Sequence, residues 1–400
     1  MNALKKYFLL DPSVTFLNHG SFGATPKPVF REYQRWQREL EKQPVEFLGR
    51  RITNLMAESR AALGKYLGTH ADNLVYTQNV TISLNIVARS LELASGDEVL
   101  STDHEYGAMD RMWRFLSKER GFRYINQPIT TPLTTEEKFI DDFWRGVTFR
   151  TRVIFISHIT SPTAIIFPIK EIIRRAREAG IITIIDGAHV PGQVHLDLDS
   201  LGADFYGGNL HKWLCAPKGA GFLYARPQVQ HLLKPLVVSW GYESETPSDS
   251  TSIDHHEWWG TRDMAAFLSV PAAIEFQEKH DWDRVRDAQR RICELTGLAP
   301  LHASRESDAW FRQMITAPLP AEADIVSLQS RLYNEHRIEV PLIEWFPSPK
   351  VGEGTGRRAE WRSRIEAVRV GNKLIRVSVQ GYNTERDMDK LCRALSLLIG

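Results

Sequence analysis

A chain of 400 residues, 42% hydrophobic and 25% charged with a formal net charge of +1, has the composition of a globular protein with a full-sized core. The near-zero charge leaves no electrostatic footprint for nucleic acid or an anionic membrane, and no apolar run approaches the ~18–20 residues that a membrane span needs. Cys215, Cys293 and Cys392 are odd in number and far apart, so they imply neither a disulfide framework nor a cysteine-based zinc site.

The opening MNALKKYFLLDPS has only a brief apolar patch and does not read as a secretory signal, so a cytoplasmic location is expected. Up to about Thr25 the chain reads as loop, with Gly20, Gly23 and Pro26 as breakers. Within it Asn18-His19-Gly20 is polar and pliable enough to approach a ligand, or is a plain surface connection. Helical spacing runs from Pro28 to about Tyr66, carried by Phe30, Tyr33 and Trp36 and interrupted at Gln43-Pro44.

Strands and helices then alternate. Strand Asn73 to Thr77 leads to a helix from Ile82 to Leu91, and strand Asp97 to Ser101 to a helix from Met109 to Arg120. Strands Phe122 to Asn126 and Thr151 to Ser157 precede a helix from Ile169 to Ala179 that Gly180 ends. Ile181 to Ile185, Ala203 to Tyr206 and Ala220 to Ala225 are further strands. Continuous apolar strands among helices predict an α/β fold, a large domain whose mostly parallel sheet is covered by helices on both faces. Beyond Pro271 comes a helix with Ala272, Ala273, Ile274 and Phe276, then strand-like runs Trp310 to Thr316, Ile338 to Ile343 and Leu374 to Val379. An amphipathic helix from Thr384 to Leu398 closes what reads as a smaller α+β domain. The expected division is residues 1–27 packing with the small domain and the functional site, 28–270 as the large domain, and 271–400 as the small one. Residues 348–369, rich in glycine and arginine, read as a mobile loop.

In parallel sheets ligands sit beyond the carboxyl ends of the strands, and three stretches there carry chemistry. Thr77-Gln78-Asn79-Val80-Thr81 joins a strand to a helix. Its N–H groups and the Thr81 hydroxyl would form an anion site at the positive end of the helix dipole, unless Asn79 or Thr81 merely caps the helix. With no GxxxxGK[ST] and no well-placed GxGxxG, nucleotide phosphates are not indicated. Asp186 ends an apolar run, and a buried carboxylate needs a partner. That partner is a protonated heteroaromatic nitrogen, an arginine or a helix N-terminus. His189 touches the same ligand or is an ordinary hydrogen-bonded histidine. Lys212 lies between His211 and Trp213, surroundings that lower an amine's pKa as capture of a carbonyl requires; a surface lysine is the alternative. Gly207 and Gly208 would let the backbone approach a ligand closely. A phosphate, a basic ring nitrogen and a carbonyl for lysine together describe pyridoxal 5'-phosphate.

FLNHGSFG, TDHEYGAM, SHITSPTAIIFPI, DGAHVPG, GGNLHKWL, EWWGTRD and IRVSVQGYNT follow one another along nearly the whole chain. On these motifs the sequence resembles the fold-type I, class V aminotransferase family of pyridoxal phosphate enzymes. Within it the sequence is similar to the isopenicillin N epimerase-like branch, which also holds C–S lyases such as the hercynylcysteine sulfoxide lyases. The resemblance implies that Lys212 holds the cofactor and moves the substrate Cα proton, through an external aldimine and a quinonoid. Asp186 keeps the pyridine nitrogen protonated, and His189 lies against the phenolate oxygen. Asn79, Val80, Thr81, Asn209 and His211 hold the phosphate, which Gly260 and Thr261 reach from the second subunit of a homodimer. Tyr106 or His104 stacks on the ring. Arg376 grips the substrate carboxylate, and Asn18, His19, Gly20 and Ser161 line the substrate side.

Two departures from the family pattern matter. No cysteine lies between Cys293 and Arg376, which disfavours the persulfide route of cysteine desulfurases, and Ala164 stands where many relatives carry glycine. The expected reaction is epimerisation of an amino acid, with Tyr106, His104 or His19 as second acid. A β-eliminating C–S lyase releasing pyruvate and ammonia is the alternative, and transamination follows. His255, His256, Trp258 and Trp259 would shape a substrate pocket or pack a dimer interface, and no metal site is expected from them. A non-catalytic cofactor-binding protein is disfavoured because Lys212, Asp186 and Arg376 are all present.

Overall fold

A seven-stranded sheet forms the centre of the computed structural model, which describes residues 4–295, 310–345 and 372–399. In chain order its strands are Leu74–Thr77 (β1), Glu98–Thr102 (β2), Arg123–Gln127 (β3), Thr151–Ser157 (β4), Ile182–Gly187 (β5), Phe205–Asn209 (β6) and Gly221–Ala225 (β7). They lie side by side as β1-β7-β6-β5-β4-β2-β3, and only β7 runs against its neighbours. The mostly parallel α/β sheet is therefore as expected. The stretch 348–369, expected as a mobile loop, lies outside the described residues.

Strand periodicity explains the two cores. Val75, Val99, Val153, Phe155, Ile184, Phe205 and Leu223 point to one face, where they meet Leu84 and Val87 of helix Val80–Ser90 and Met109, Trp113 and Leu116 of helix Gly107–Arg120. Their neighbours Tyr76, Leu100, Ile154, Ile156, Ile185 and Tyr206 point to the other face. There Ile169, Ile172, Ile173 and Ala176 form one stripe of helix Ile169–Glu178 at three-to-four spacing. Each such buried aliphatic side chain is worth roughly 1.5–3 kcal/mol. The same pleat gives the sheet a polar rim: Thr77, Thr102, Ser157, Asp186 and Asn209 all stand at the carboxyl ends of strands.

The smaller sheet has the order Leu342–Trp345, Asn372–Ser378, Met314–Pro318, all antiparallel. Helix Glu385–Ile399 covers it with Met388, Leu391, Ala394 and Leu395. The single strand expected over Ile338 to Ile343 is two. Ile338–Glu339 pairs with Thr15–Phe16, and Leu342–Trp345 joins the small sheet. Pro341, without an N–H, falls between them and gives its carbonyl to the Arg376 N–H. The N-terminal segment is thereby stitched to the small sheet, and its Asn18 bridges to Ser378. The expected boundary at residue 270 falls at the start of helix Val270–Glu278, which packs on helices Lys27–Lys42 and Ile52–Leu67. Among the described residues no helix is long and apolar enough to cross a membrane.

Candidate active site

Asp186 is 2% exposed beyond the apolar core of β5, and its Oδ1 accepts the Ala188 N–H at 2.9 Å. Burial pushes its carboxyl above the usual range, against the pull of that bond and of the Lys212 charge. Lys212 lies beyond β6, and its Nζ is 3.2 Å from His189 Nε2. Burial lowers this amine to about 7, helped by the positive charge of Arg376 and opposed by Asp186. His189 is buried, and its other nitrogen, Nδ1, accepts the Trp213 indole N–H at 3.2 Å.

Arg376 comes from the central strand of the small sheet and is 4% exposed. Its Nη1 donates to the Ser161 carbonyl at 2.7 Å and to Ser161 Oγ at 3.2 Å, and its Nη2 donates to Ser21 Oγ at 3.0 Å. Nε is buried without a partner. Burial lowers this guanidinium to about 10, and Tyr106 is close enough to act on it electrostatically. Among the described residues, none of Arg376, Lys212 and Asp186 forms a salt bridge. Three ionisable groups withdrawn from solvent, two of them buried, without salt-bridge partners form a costly arrangement that a zwitterionic ligand would relieve.

Helix Val80–Ser90 starts at the rim. Asn79 is its N-cap, with Oδ1 accepting the Ile82 N–H at 3.1 Å, so the cap is Asn79 and not Thr81. The Val80 N–H, expected to face a phosphate, donates instead to Asn209 Oδ1 at 2.9 Å. Thr81 remains partly exposed at this helix end. His211 donates Nδ1–H to the Ala220 carbonyl at 3.1 Å, which leaves Nε2 for a ligand. Burial, then the Lys212 charge, lowers its imidazole to about 4, so a phosphate here would require proton uptake. Gly207 and Gly208 serve packing and not ligand approach: a Cβ would lie 2.8 Å from Val80 Cγ2 at the first and 2.3 Å from the Phe222 ring at the second.

Other expected residues have structural work. His104 is fully buried, with Nδ1 2.8 Å from Thr163 Oγ1 and Nε2 donating to the Ile129 carbonyl at 3.0 Å. His19 is fully buried too; Nε2 donates to the Lys212 carbonyl at 3.0 Å and Nδ1 accepts from the Tyr382 hydroxyl at 2.9 Å. With both nitrogens of each ring engaged, neither histidine is available as an acid. Tyr106, by contrast, is 43% exposed. Gly20 presses against Ser378 and Met314, and Asn18 donates to Glu339 while accepting from Ser21 at 2.5 Å. Gly260 is half-buried and Thr261 exposed. His255 and His256 stand on helix Thr251–Glu257, and among the described residues no group is placed to hold a metal ion.

Two residues of the site carry little or no signal in the sequence. Ser21 touches Arg376, yet its only mark is its place in FLNHGSFG. Glu105 is buried and accepts from Thr102 Oγ1 at 2.6 Å and Ser157 Oγ at 2.5 Å. Burial pushes its carboxyl up to about 8, with Asp186 adding to the effect. The turn holding Ser161 contains Ala164 at φ 57°, a left-handed conformation that favours glycine. Ala164→Gly is therefore expected to stabilise the protein by about 1 kcal/mol, read as a raised midpoint in urea unfolding with an unchanged slope.

The aminotransferase class-V family model matches residues 23–391. An isopenicillin N epimerase from Amycolatopsis lactamdurans is 33% identical over 97% of this chain and 96% of its own length. A putative L-cysteine desulfhydrase 2 from Oryza sativa subsp. japonica is 27% identical over 97% of this chain and 85% of its own. Among solved structures, a mutant of C-DES with glycine covalently linked to the PLP cofactor aligns with a TM-score of 0.80 at 20% identity. The alignment covers 98% of each chain, a likeness of fold.

Proposed function

The chain belongs to the aminotransferase class V family, and from that premise we propose that it is a pyridoxal phosphate-dependent amino-acid epimerase resembling isopenicillin N epimerase. What carries this reading is the set of Asp186, Lys212 and Arg376, the first and last buried, Lys212 half-buried, and none in a salt bridge among the described residues. The donor set fits the cofactor: Asp186 for a ring nitrogen, His189 Nε2 for a ring oxygen, and Thr81 with His211 for a phosphate. When bound, the cofactor supplies an aldehyde for Lys212 and a protonated ring that draws electrons from the substrate Cα.

This chain's residues do the rest. Arg376 binds the substrate carboxylate through its fixed fork of N–H groups, steadied by Ser161 and Ser21. Lys212, an amine with its pKa near neutrality, takes the Cα proton on its own face. Inversion needs a second acid, and Tyr106 is the candidate. It is exposed and interacts with Arg376, whereas His19 and His104 are held by protein partners.

A β-eliminating C–S lyase is the second reading. It needs no second acid, and the desulfhydrase relatives match the chain over nearly its full length. Incubating the enzyme with single amino acids in deuterated water separates the two. Epimerisation gives the enantiomer with deuterium at Cα and no pyruvate. Pyruvate and ammonia without inversion would replace the epimerase reading with the lyase.

Two copies complete the site, with Gly260 and Thr261 reaching the partner's phosphate. In support, Val238, Trp240 and Tyr242 are exposed, Trp240 at 85%. The Tyr242 ring lies 5.4 Å from His255 on the helix that leads toward Gly260. The protein in the same assay should sediment as a dimer, and a monomer with full activity would remove this part. A cytoplasmic location goes with the free cysteines Cys215, Cys293 and Cys392.

A further inference from the structure

Lys212 and Trp213 are neighbours in the chain, and their side chains meet one imidazole at its two different nitrogens. Lys212 Nζ stands 3.2 Å from His189 Nε2, and Trp213 Nε1 stands 3.2 Å from His189 Nδ1. The arrangement is held from behind. Gln193 Nε2 donates to the His189 carbonyl at 2.7 Å, and Gln277 Nε2 donates to the Trp213 carbonyl at 2.8 Å. Trp213 is fully buried, as is nearly all of His189.

An indole N–H can only donate, so His189 Nδ1 must be the acceptor and carries no proton. Burial disfavours the charged ring, and neutral His189 therefore bears its one proton on Nε2. That N–H faces the lysine amine, which can take part only by offering its lone pair. Resting on the reading of Lys212 as the amine that captures the cofactor aldehyde, we propose that Trp213 is a positioning residue. It locks His189 in the Nε2–H tautomer and so holds Lys212 as a free amine.

The sign follows from the alternative tautomer. Without the indole donor, His189 can carry its proton on Nδ1 and turn a lone pair toward Lys212, which favours the ammonium. The other charges around the amine are unchanged by this switch. Asp186 favours the ammonium and Arg376 opposes it, and His211, His19 and Arg376 act on His189. Trp213→Phe should thus raise the pKa of Lys212. In capture, the amine lone pair attacks the aldehyde carbon, nitrogen loses both its protons, and the carbonyl oxygen leaves as water. Only the unprotonated amine begins it.

The first test needs no cofactor. Nitrogen-15 NMR of histidine-labelled protein, with His189 assigned through His189→Gln, should show Nδ1 bare and Nε2 protonated. A proton on Nδ1 would overturn the proposal. The second follows the rate of pyridoxal phosphate capture against pH in the visible spectrum. For wild type the rate should rise through about pH 7. For Trp213→Phe the midpoint should move up by ~0.5–1 unit and capture at pH 7 should slow by roughly 2- to 5-fold, the scale of one hydrogen bond. A folded variant with an unmoved midpoint would show that the indole only fills space. If wild type captures no cofactor, the reading of Lys212 falls, while the tautomer measured on the free protein still stands.

Discussion

Lys212→Ala is expected to give a folded chain that shows no visible band with pyridoxal phosphate and turns over amino acids at least ~10³-fold more slowly. That loss is the scale of removing a positioned general base, here also the nucleophile. The fold should not suffer. Burial takes Lys212 from its ordinary 10.5 down to about 7, so the native state binds a proton less readily than the unfolded chain. In the window from about pH 7 to 10.5 the unfolded state therefore holds more protons, and wild-type stability should rise with pH relative to the alanine variant. Thermal melts of both chains at about pH 7 and again near the top of that window read this directly. Alanine should be the more stable chain at the lower pH, with the gap narrowing at the higher one.

Arg376→Leu should act on the other end of the substrate. The guanidinium is 4% exposed, its N–H groups find only serine oxygens, and its Nε finds nothing. A carboxylate held by two charge-assisted bonds at roughly 1.5–3 kcal/mol each implies a loss of about 10²–10⁴ in kcat/KM, carried mainly by KM. The visible band should survive, because the residues assigned to the cofactor are Asp186, His189, Thr81, His211 and Lys212. Stability should hold or rise, since replacing a buried unpaired cation with an apolar side chain removes a desolvation penalty. Loss of the cofactor instead would show that Arg376 had been given the wrong partner.

The electronic half of this site is legible in the sequence for a physical reason. Apolar strands that break off at Asp186 and again at Gly207-Gly208-Asn209 announce themselves by composition, and a carboxylate and a lysine at such breaks must meet something. The sheet and its helices are legible in the same way, through periods of two and of three to four. What stays hidden depends on which partner a polar group finds. His19, His104 and Tyr106 look equally chemical in sequence. Only the fold commits the first two to the Lys212 and Ile129 carbonyls. The Val80 N–H and Asn209 lie 129 positions apart and satisfy each other. Ser21 reaches Arg376 across most of the chain, a contact that no local pattern encodes. The split at Pro341 is hidden because apolar strand residues continue on both sides of it, and the choice between two sheets is made by pairing.

Capture of the cofactor by Lys212 underlies every step above, and it has a direct chemical readout. Purified protein is mixed with pyridoxal phosphate, reduced with borohydride and digested, and the modified peptide is located by mass. The protein should be yellow before reduction and carry a single phosphopyridoxyl group on Lys212 after it. Lys218, six residues on in the same loop, is the rival, its amine lowered by desolvation. Labelling of Lys218, or of no lysine at all, would contradict the assignment of Lys212.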